Sequence, residues 1–175
     1  MEARQAFVAL RAILYGTGFV LLWTWLALAS RRYDTALAVA WPAWLHPVGL
    51  AVAGAGALLA ASCIAVFVSR GRGTPAPFDA PRVFVASGPY RYVRNPMYVG
   101  ALAVLLGSGL ASDSPSILLL ALLFGLLMHG FVVLYEEPTL DRRFGASYRD
   151  FTAQVNRWWP RAPAARPAPS SSAGS

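Results

Sequence analysis

The chain of 175 residues contains no lysine, one cysteine and two histidines, and only 13% of its residues are charged. A soluble domain carries roughly 25%. With 57% hydrophobic residues and a mean hydropathy of +0.49, the apolar excess is more than one small soluble core can bury. The chain therefore reads as an integral membrane protein, and intrinsic disorder is excluded over most of its length. The single cysteine, Cys63, rules out an intramolecular disulfide framework and leaves no basis for a cysteine-based zinc site, so no metal is expected. Acidic residues are also scarce, eight against 15 basic ones, all of them Arg. The lack of Lys reads as a codon-composition bias. The net charge of +7 is weak evidence for a nucleic-acid partner, because membrane proteins concentrate Arg in cytoplasmic loops facing anionic lipid. No nucleic-acid or protein partner is expected; the expected partners are the membrane and a lipophilic or lipid substrate.

What is present is a set of long apolar runs. Crossing about 30 Å of hydrocarbon takes roughly 20 residues of helix. Four stretches come close: Ala6–Ala29, Val48–Val68, the shorter Pro96–Ala111, and Ser116–Tyr135. The expected fold is all-α and polytopic, with about four transmembrane helices, a C-terminal helical hairpin and an amphipathic cytoplasmic helix. Only Ser112-Asp113-Ser114-Pro115 separates the last two spans, which forces an antiparallel hairpin. Ala27-Leu28-Ala29 fits a signal-peptidase pattern, but the apolar run is too long for a signal peptide and contains Arg11, so a retained helix is expected. In this four-span arrangement twelve Arg residues fall on one side and only Arg31 and Arg32 on the other. The positive-inside bias then places both termini in the cytoplasm, with a bacterial plasma membrane as the expected location. Small residues at Gly49, Ala53, Ala57 and Ala61 offer a close helix–helix approach. The chain divides into residues 1–69 with two N-terminal spans, 70–161 with the candidate catalytic region, and a Pro/Ala/Ser tail, 162–175.

Candidate chemistry lies at the open end of the hairpin. Asn95 before Pro96 is a helix-start signal, Asn as N-cap and Pro at the first helical position. The helix that follows is roughly 24 Å long, so its positive end, with Arg94 and Asn95, sits at head-group depth and forms an anion site. Glu136 and Glu137 close the fourth span; facing lipid, each would cost roughly 2.5–3.5 kcal/mol. Pro138 cannot donate to the carbonyl of Leu134, so the helix kinks or restarts there. The antiparallel hairpin brings Asn95/Pro96 beside Glu136/Glu137. An anion site next to a pair of anions suits a zwitterionic ligand with a second positive charge. His129, seven residues before Glu136, falls on about the same helical face and is a candidate for catalysis; packing against a neighbouring helix is the competing reading. Leu140, Phe144, Tyr148, Phe151 and Val155 recur at helical spacing, predicting one amphipathic helix that either tethers the C-terminus or lids the site. Trp158 and Trp159, flanked by Arg157 and Arg161, suit an interfacial anchor.

The string Gly88-Pro-Tyr-Arg-Tyr-Val-Arg-Asn-Pro-Met-Tyr-Val-Gly100, followed about forty residues later by Glu136-Glu-Pro-Thr-Leu140 and Phe144-Gly-x-x-Tyr148, resembles the isoprenylcysteine carboxyl methyltransferase and phospholipid methyltransferase superfamily. The match runs from about Arg82 to Pro160. The resemblance implies a membrane-embedded, S-adenosylmethionine-dependent methyltransferase without the soluble Rossmann fold. Its cofactor pocket would open to the cytoplasm, and its lipophilic substrate would enter from the bilayer. It maps cofactor binding onto Arg82, Val83, Phe84 and Val85, then Tyr90, the start of the third span (Arg94, Asn95, Pro96, Met97, Tyr98 and Gly100), and Glu136. Glu137 and His129 are the candidate catalytic groups. Two positions depart from the family pattern: Asn95 stands where His is common, and Val132 where the isoprenylcysteine enzymes carry a substrate-binding Arg. The acceptor is thus left open between an isoprenylcysteine-like carboxylate, which needs no general base, and a phospholipid-like amine, which must lose a proton before attack. A membrane reductase using NADPH and a non-catalytic membrane scaffold are the alternatives. Sterol reductases look similar over the same C-terminal motifs but are usually longer, and a scaffold leaves the paired Glu without a ligand.

Overall fold

The computed structural model describes the backbone of residues 2–37, 39, 41–70 and 87–161, and the side chains in those ranges apart from 2–13 and 67–70. Among these residues every regular element is helical: α1 (Glu2–Ser30), a 3-10 turn (Arg31–Tyr33), α2 (Asp34–Leu37), α3 (Leu45–Arg70), a second 3-10 turn (Gly88–Arg91), α4 (Pro96–Ala111), α5 (Pro115–Phe131), a π-helical turn (Val132–Glu136), α6 (Glu137–Phe144) and α7 (Ala146–Gln154). Two helical stretches, Leu45–Val66 and Pro115–Phe144, are long and apolar enough to cross a membrane, and Pro96–Ala111 is a shorter apolar helix. Their outward side chains, such as Leu58, Leu126 and Leu134, are exposed and apolar, as a lipid-facing surface requires.

The tightest packing is between antiparallel α3 and α4, and it depends on glycine. A Cβ on Gly49 would lie 2.5 Å from the Ala111 nitrogen, and one on Gly56 would lie 2.6 Å from the Gly100 carbonyl oxygen. Gly107 in turn sits against the backbone of Gly49 and Ala53. Where lipid replaces water there is no hydrophobic gain from pairing two apolar helices, so close backbone approach supplies the attraction. The contact row is Gly49, Ala53, Gly56 and Ala60, not the expected Gly49, Ala53, Ala57 and Ala61; Ala57 and Ala61 are exposed. A strict spacing of four drifts around the helix, whereas alternating four and three stays on one seam. The His46 ring donates from Nδ1 to the Ala111 carbonyl at 2.6 Å, closing the far end of this pair.

The link between α4 and α5 is the expected tight hairpin. Asp113 takes a positive φ of 50°, and the Ser114 hydroxyl accepts from the Ile117 amide as the N-cap of α5. The Asp34 carboxylate accepts from the Ser114 hydroxyl at 2.9 Å and from the Ser116 amide at 3.1 Å, tying the region after α1 to this turn. α1 packs on α5 through Phe19 and Trp23 against buried Phe124, with Ala27 in the same cluster.

The single amphipathic helix expected from Leu140 onward is two helices. Gly145, at φ 53° and ψ −124°, breaks it, a conformation that side-chain-bearing residues rarely adopt. Val155 is buried but lies beyond α7, where the chain turns extended.

Candidate functional site

Three segments converge at the open end of the hairpin. The first leads into α4. Gly88, with φ +59° and its Cα close to Val66, starts the turn that carries Tyr90 to a hydrogen bond with Cys63 of α3. Burial, with Cys63 and Glu136 nearby, pushes the Tyr90 phenol well above its ordinary range, so it stays neutral. The second segment is the stretch after α7, which lies alongside the first as a short parallel bridge. The Arg94 amide donates to the Asn156 carbonyl at 2.9 Å, and the Arg161 amide donates to the Tyr92 carbonyl at 2.8 Å. The third is the π turn into α6. The Glu137 amide bonds the Val132 carbonyl five residues back, which widens the helix just before Pro138.

Asn95 occupies the N-cap position of α4, yet its side chain makes no cap bond. Its amide instead donates to the Arg157 carbonyl at 3.2 Å, because the C-terminal stretch brings that acceptor within reach. The first-turn amides of α4 therefore receive no cap from Asn95. One turn further, the Tyr98 hydroxyl donates to Glu136 Oε2 at 3.3 Å. Glu136 has no cationic partner among the described residues.

Glu137 is in a different situation. Its Oε1 accepts from Arg94 Nη1 at 2.9 Å and from Arg157 Nε at 2.7 Å, and its Oε2 accepts from Arg157 Nη2 at 2.8 Å. The side chains of Arg94, Glu137 and Arg157 are 15%, 18% and 31% exposed, so this is a largely enclosed ion triad with one bidentate arm. The hydrogen bond to Glu137 holds the Arg157 guanidinium above its ordinary pKa. Tyr148 bonds Arg94. Burial, reinforced by the charge of Glu137 and opposed by that of Arg94, pushes its phenol up to about 12. The triad borders a cavity of about 460 Å³ lined by Arg94, Val133, Glu137, Pro138, Asp141, Tyr148, Thr152 and Arg157. Arg94 Nε is buried there and has no acceptor.

The expected neighbours are thus brought together: Arg94, Asn95, Tyr98, Glu136 and Glu137 share one end of the hairpin, with buried Pro96 and half-buried Met97 in the first turn of α4. Gly100 stands apart, packed against Gly56 and Ala60 at the α3 crossing. His129 is exposed and accepts from the Trp158 indole N–H on Nδ1 at 3.1 Å. Arg82, Val83, Phe84 and Val85 lie outside the described residues. Among the described residues no three His, Cys, Asp or Glu are grouped to hold a metal ion. Arg157 has a position that its place in the sequence does not announce. Read as the flank of an interfacial anchor, it is seated on Glu137. Tyr148 and Thr152 reach the same cavity from α7, where their helical spacing of four was the available signal.

Comparison with known proteins bears on the same region. The chain is 38% identical over 72 residues to proteins named phosphatidylethanolamine N-methyltransferase from Talaromyces marneffei, Paracoccidioides brasiliensis and Paracoccidioides lutzii. The aligned stretch is 41% of this chain and only 7% of the length of each relative. These organisms are fungi, so the relatives lend the expected bacterial plasma membrane no support; association with a membrane is what stands. No solved structure is a significant match. The model of the phospholipid methyltransferase family matches residues 44–147, from the start of α3 through the π turn and the paired glutamates into the first turn of α7. With more than half of its residues matched, the chain belongs to the phospholipid methyltransferase family.

Proposed function

We propose that this chain is an integral membrane methyltransferase that moves the methyl group of S-adenosylmethionine to the amine of a phospholipid headgroup. The observation that carries the reading is the uncapped start of α4 set beside Glu136, a carboxylate with no cationic partner among the described residues. These residues fit the cofactor. The first-turn amides of Met97 and Tyr98, at the positive end of α4, suit its carboxylate. Glu136 suits its positive charges. When bound, the cofactor supplies an electrophilic methyl group on a sulfonium.

The protein's part is to align and desolvate. In-line displacement needs the acceptor held close and water excluded. An amine must also lose a proton before it attacks. Glu136 is the carboxylate free of guanidinium, and Tyr98 holds it by one long hydrogen bond, so we assign it to face the cationic centre and accept that proton. Glu137, bound on both oxygens by Arg94 and Arg157, is assigned to positioning. The His129 ring, engaged by Trp158, is assigned to holding the C-terminal stretch. The names of the relatives support an ethanolamine-type amine, and neither they nor Val132 support an isoprenylcysteine-like carboxylate.

Glu136→Gln should lose most S-adenosylmethionine affinity while keeping the melting temperature of the parent, read by isothermal titration and thermal unfolding in detergent. Unchanged affinity would sink this site. The reading also includes four spans with both termini cytoplasmic, supported by the Arg distribution. Membrane-impermeant thiol labelling at Arg32→Cys and Arg149→Cys should report opposite faces, with buried Cys63 silent. Labelling from one face for both would overturn the orientation.

A further inference from the structure

We infer that the link between α1 and α3 is a docking surface for anionic phospholipid, at the end of the bundle opposite the candidate site. The inference goes beyond the methyl-transfer reading and does not depend on it, since nearly all of the link precedes residue 44, where the family match begins. Two contacts pin the link to one turn. The Asp34 carboxylate accepts from the Ser114 hydroxyl at 2.9 Å and from the Ser116 amide at 3.1 Å, and the His46 ring meets the Ala111 carbonyl at 2.6 Å. Ala111 and Ser114 flank the turn from α4 to α5. Both ends of the link therefore sit at the hairpin turn, level with Leu45 and Pro115, where the two long apolar stretches begin.

What the pinned link displays is unsuited to open water. Tyr33, Leu37 and Trp44 are exposed, Trp44 to 63%. None of them belongs to either long apolar stretch, so contact with lipid tails along a span does not account for their exposure. Tyr and Trp combine an apolar body with one polar edge, and such rings collect in the head-group layer.

Beside them stand Arg31 and Arg32, both exposed. Arg31 Nε lies 3.9 Å from Asp34 Oδ2, beyond hydrogen-bond reach, and the Arg32 guanidinium lies over the Tyr33 ring, 4.8 Å from its centre. Neither guanidinium has a hydrogen-bond acceptor among the described residues. Each presents five N–H donors in a fork that matches phosphate oxygens. With Asp34 counted, the turn carries one net positive charge, the complement of a phospholipid with one net negative charge. The bonds from Ser114 and Ser116 fix Asp34, and with it the adjoining turn, before a lipid arrives, which lowers the entropy cost of holding one. Aromatic rings, an aliphatic side chain and unbonded guanidiniums at one level match the layer where hydrocarbon gives way to phosphate.

The test places the full chain in phosphatidylcholine vesicles in which a small, equal fraction of lipid is brominated near the head group, as either phosphatidylglycerol or phosphatidylcholine. Bromine quenches a tryptophan it touches, and the emission of Trp44 is isolated by subtracting that of Trp44→Phe in the same background. In roughly 0.01 M salt the parent's Trp44 should be quenched at least about twice as strongly by the anionic lipid, and the preference should vanish at roughly 1 M salt. The double variant Arg31→Gln, Arg32→Gln should lose the preference yet keep the quenching by phosphatidylcholine. Arg149→Gln, on α7 at the other end of the bundle, should keep both. Equal quenching by the two lipids in the parent overturns the inference, as does a preference that outlasts high salt or the double substitution, or one that disappears with Arg149→Gln. Quenching by aqueous iodide and by neither lipid means that the link faces water. Protection from all three means that protein, such as a second copy of the chain, covers it. Each of these two outcomes overturns the lipid surface.

Discussion

Glu137→Gln removes one negative charge and almost no volume, and the structure predicts that it will loosen the C-terminal stretch. Three charge-assisted bonds of 2.7–2.9 Å end on this carboxylate. Taken singly such bonds contribute about 1.5–3 kcal/mol each. They share one acceptor group and the partners are 15–31% exposed, so they do not add, and solvent recovers part of the loss. About 2–4 kcal/mol is the expected destabilisation, most of it from Arg94, the least exposed of the three and the one left facing an amide. The exposed pair Arg149–Asp141, at 3.6 Å with 68% and 44% exposure, is the internal control: Asp141→Asn should cost under about 1 kcal/mol. Loss of the Glu137 carboxylate also releases Arg157. Trypsin should then cleave after Arg157 faster, and Trp158 and Trp159 should report a wetter environment. Denaturation in detergent, limited proteolysis and tryptophan emission measure the three effects. A melting temperature equal to that of Asp141→Asn, with unchanged cleavage, would refute the triad as a structural tie. A double-mutant cycle with Arg157→Gln gives a stricter check, since additive losses would mean the two residues do not interact.

Two further outcomes concern the scaffold. Gly107→Ala places a Cβ against the backbone of Gly49 and Ala53, which cannot rotate away, and should cost about 1–3 kcal/mol, whereas Gly54→Ala, with open space at its Cβ, should be neutral or stabilising; equal melting temperatures for the two would refute the close crossing. Asp34 is opposed by burial, but its bonds from Ser114 and Ser116 and the charge of Arg31 prevail and hold its carboxyl below the ordinary 3.8. A depressed folded value means the contribution is complete above pH 3.8 and is lost as pH falls through the lower folded value. The melting temperature of the parent should therefore fall on acidification below that point, and that of Asp34→Asn should start lower and fall less; parallel profiles would refute the assignment.

The helices and the hairpin were legible because apolar run length and turn residues act locally. Pro96–Ala111 is found with the expected bounds, and Ser114-Pro115 starts α5 through a real cap. Asn95 shows where local reasoning stops. Asn-Pro marks the helix start correctly, but the Asn95 amide is claimed by the Arg157 carbonyl, 62 residues away in sequence. The same holds for Arg157 itself, whose partner Glu137 is fixed by a crossing of three segments that no periodicity encodes. Gly145 was visible as a letter in the sequence, yet five apolar residues at helical spacing outweighed it, and only the positive φ makes the break between α6 and α7 plain.

The π turn explains why the paired glutamates have different surroundings. In an unbroken α-helix, His129 and Glu136 are seven residues apart and share a face, while Glu137 points about one residue's rotation away. Pro138 has no N–H for the carbonyl of Leu134, and the chain answers by widening the preceding turn, with the Glu137 amide on the Val132 carbonyl. A widened turn holds one extra residue, which takes up roughly one residue's rotation. Glu137 now falls on the His129 face and Glu136 is turned off it. The contacts follow this shift: His129 meets Trp158 and Glu137 meets Arg157, adjacent residues of one stretch, while Glu136 meets Tyr98 on α4. One proline thus separates two identical neighbours into a carboxylate held by two guanidiniums and a carboxylate held by a single tyrosine hydroxyl, and the proposed function rests on that difference.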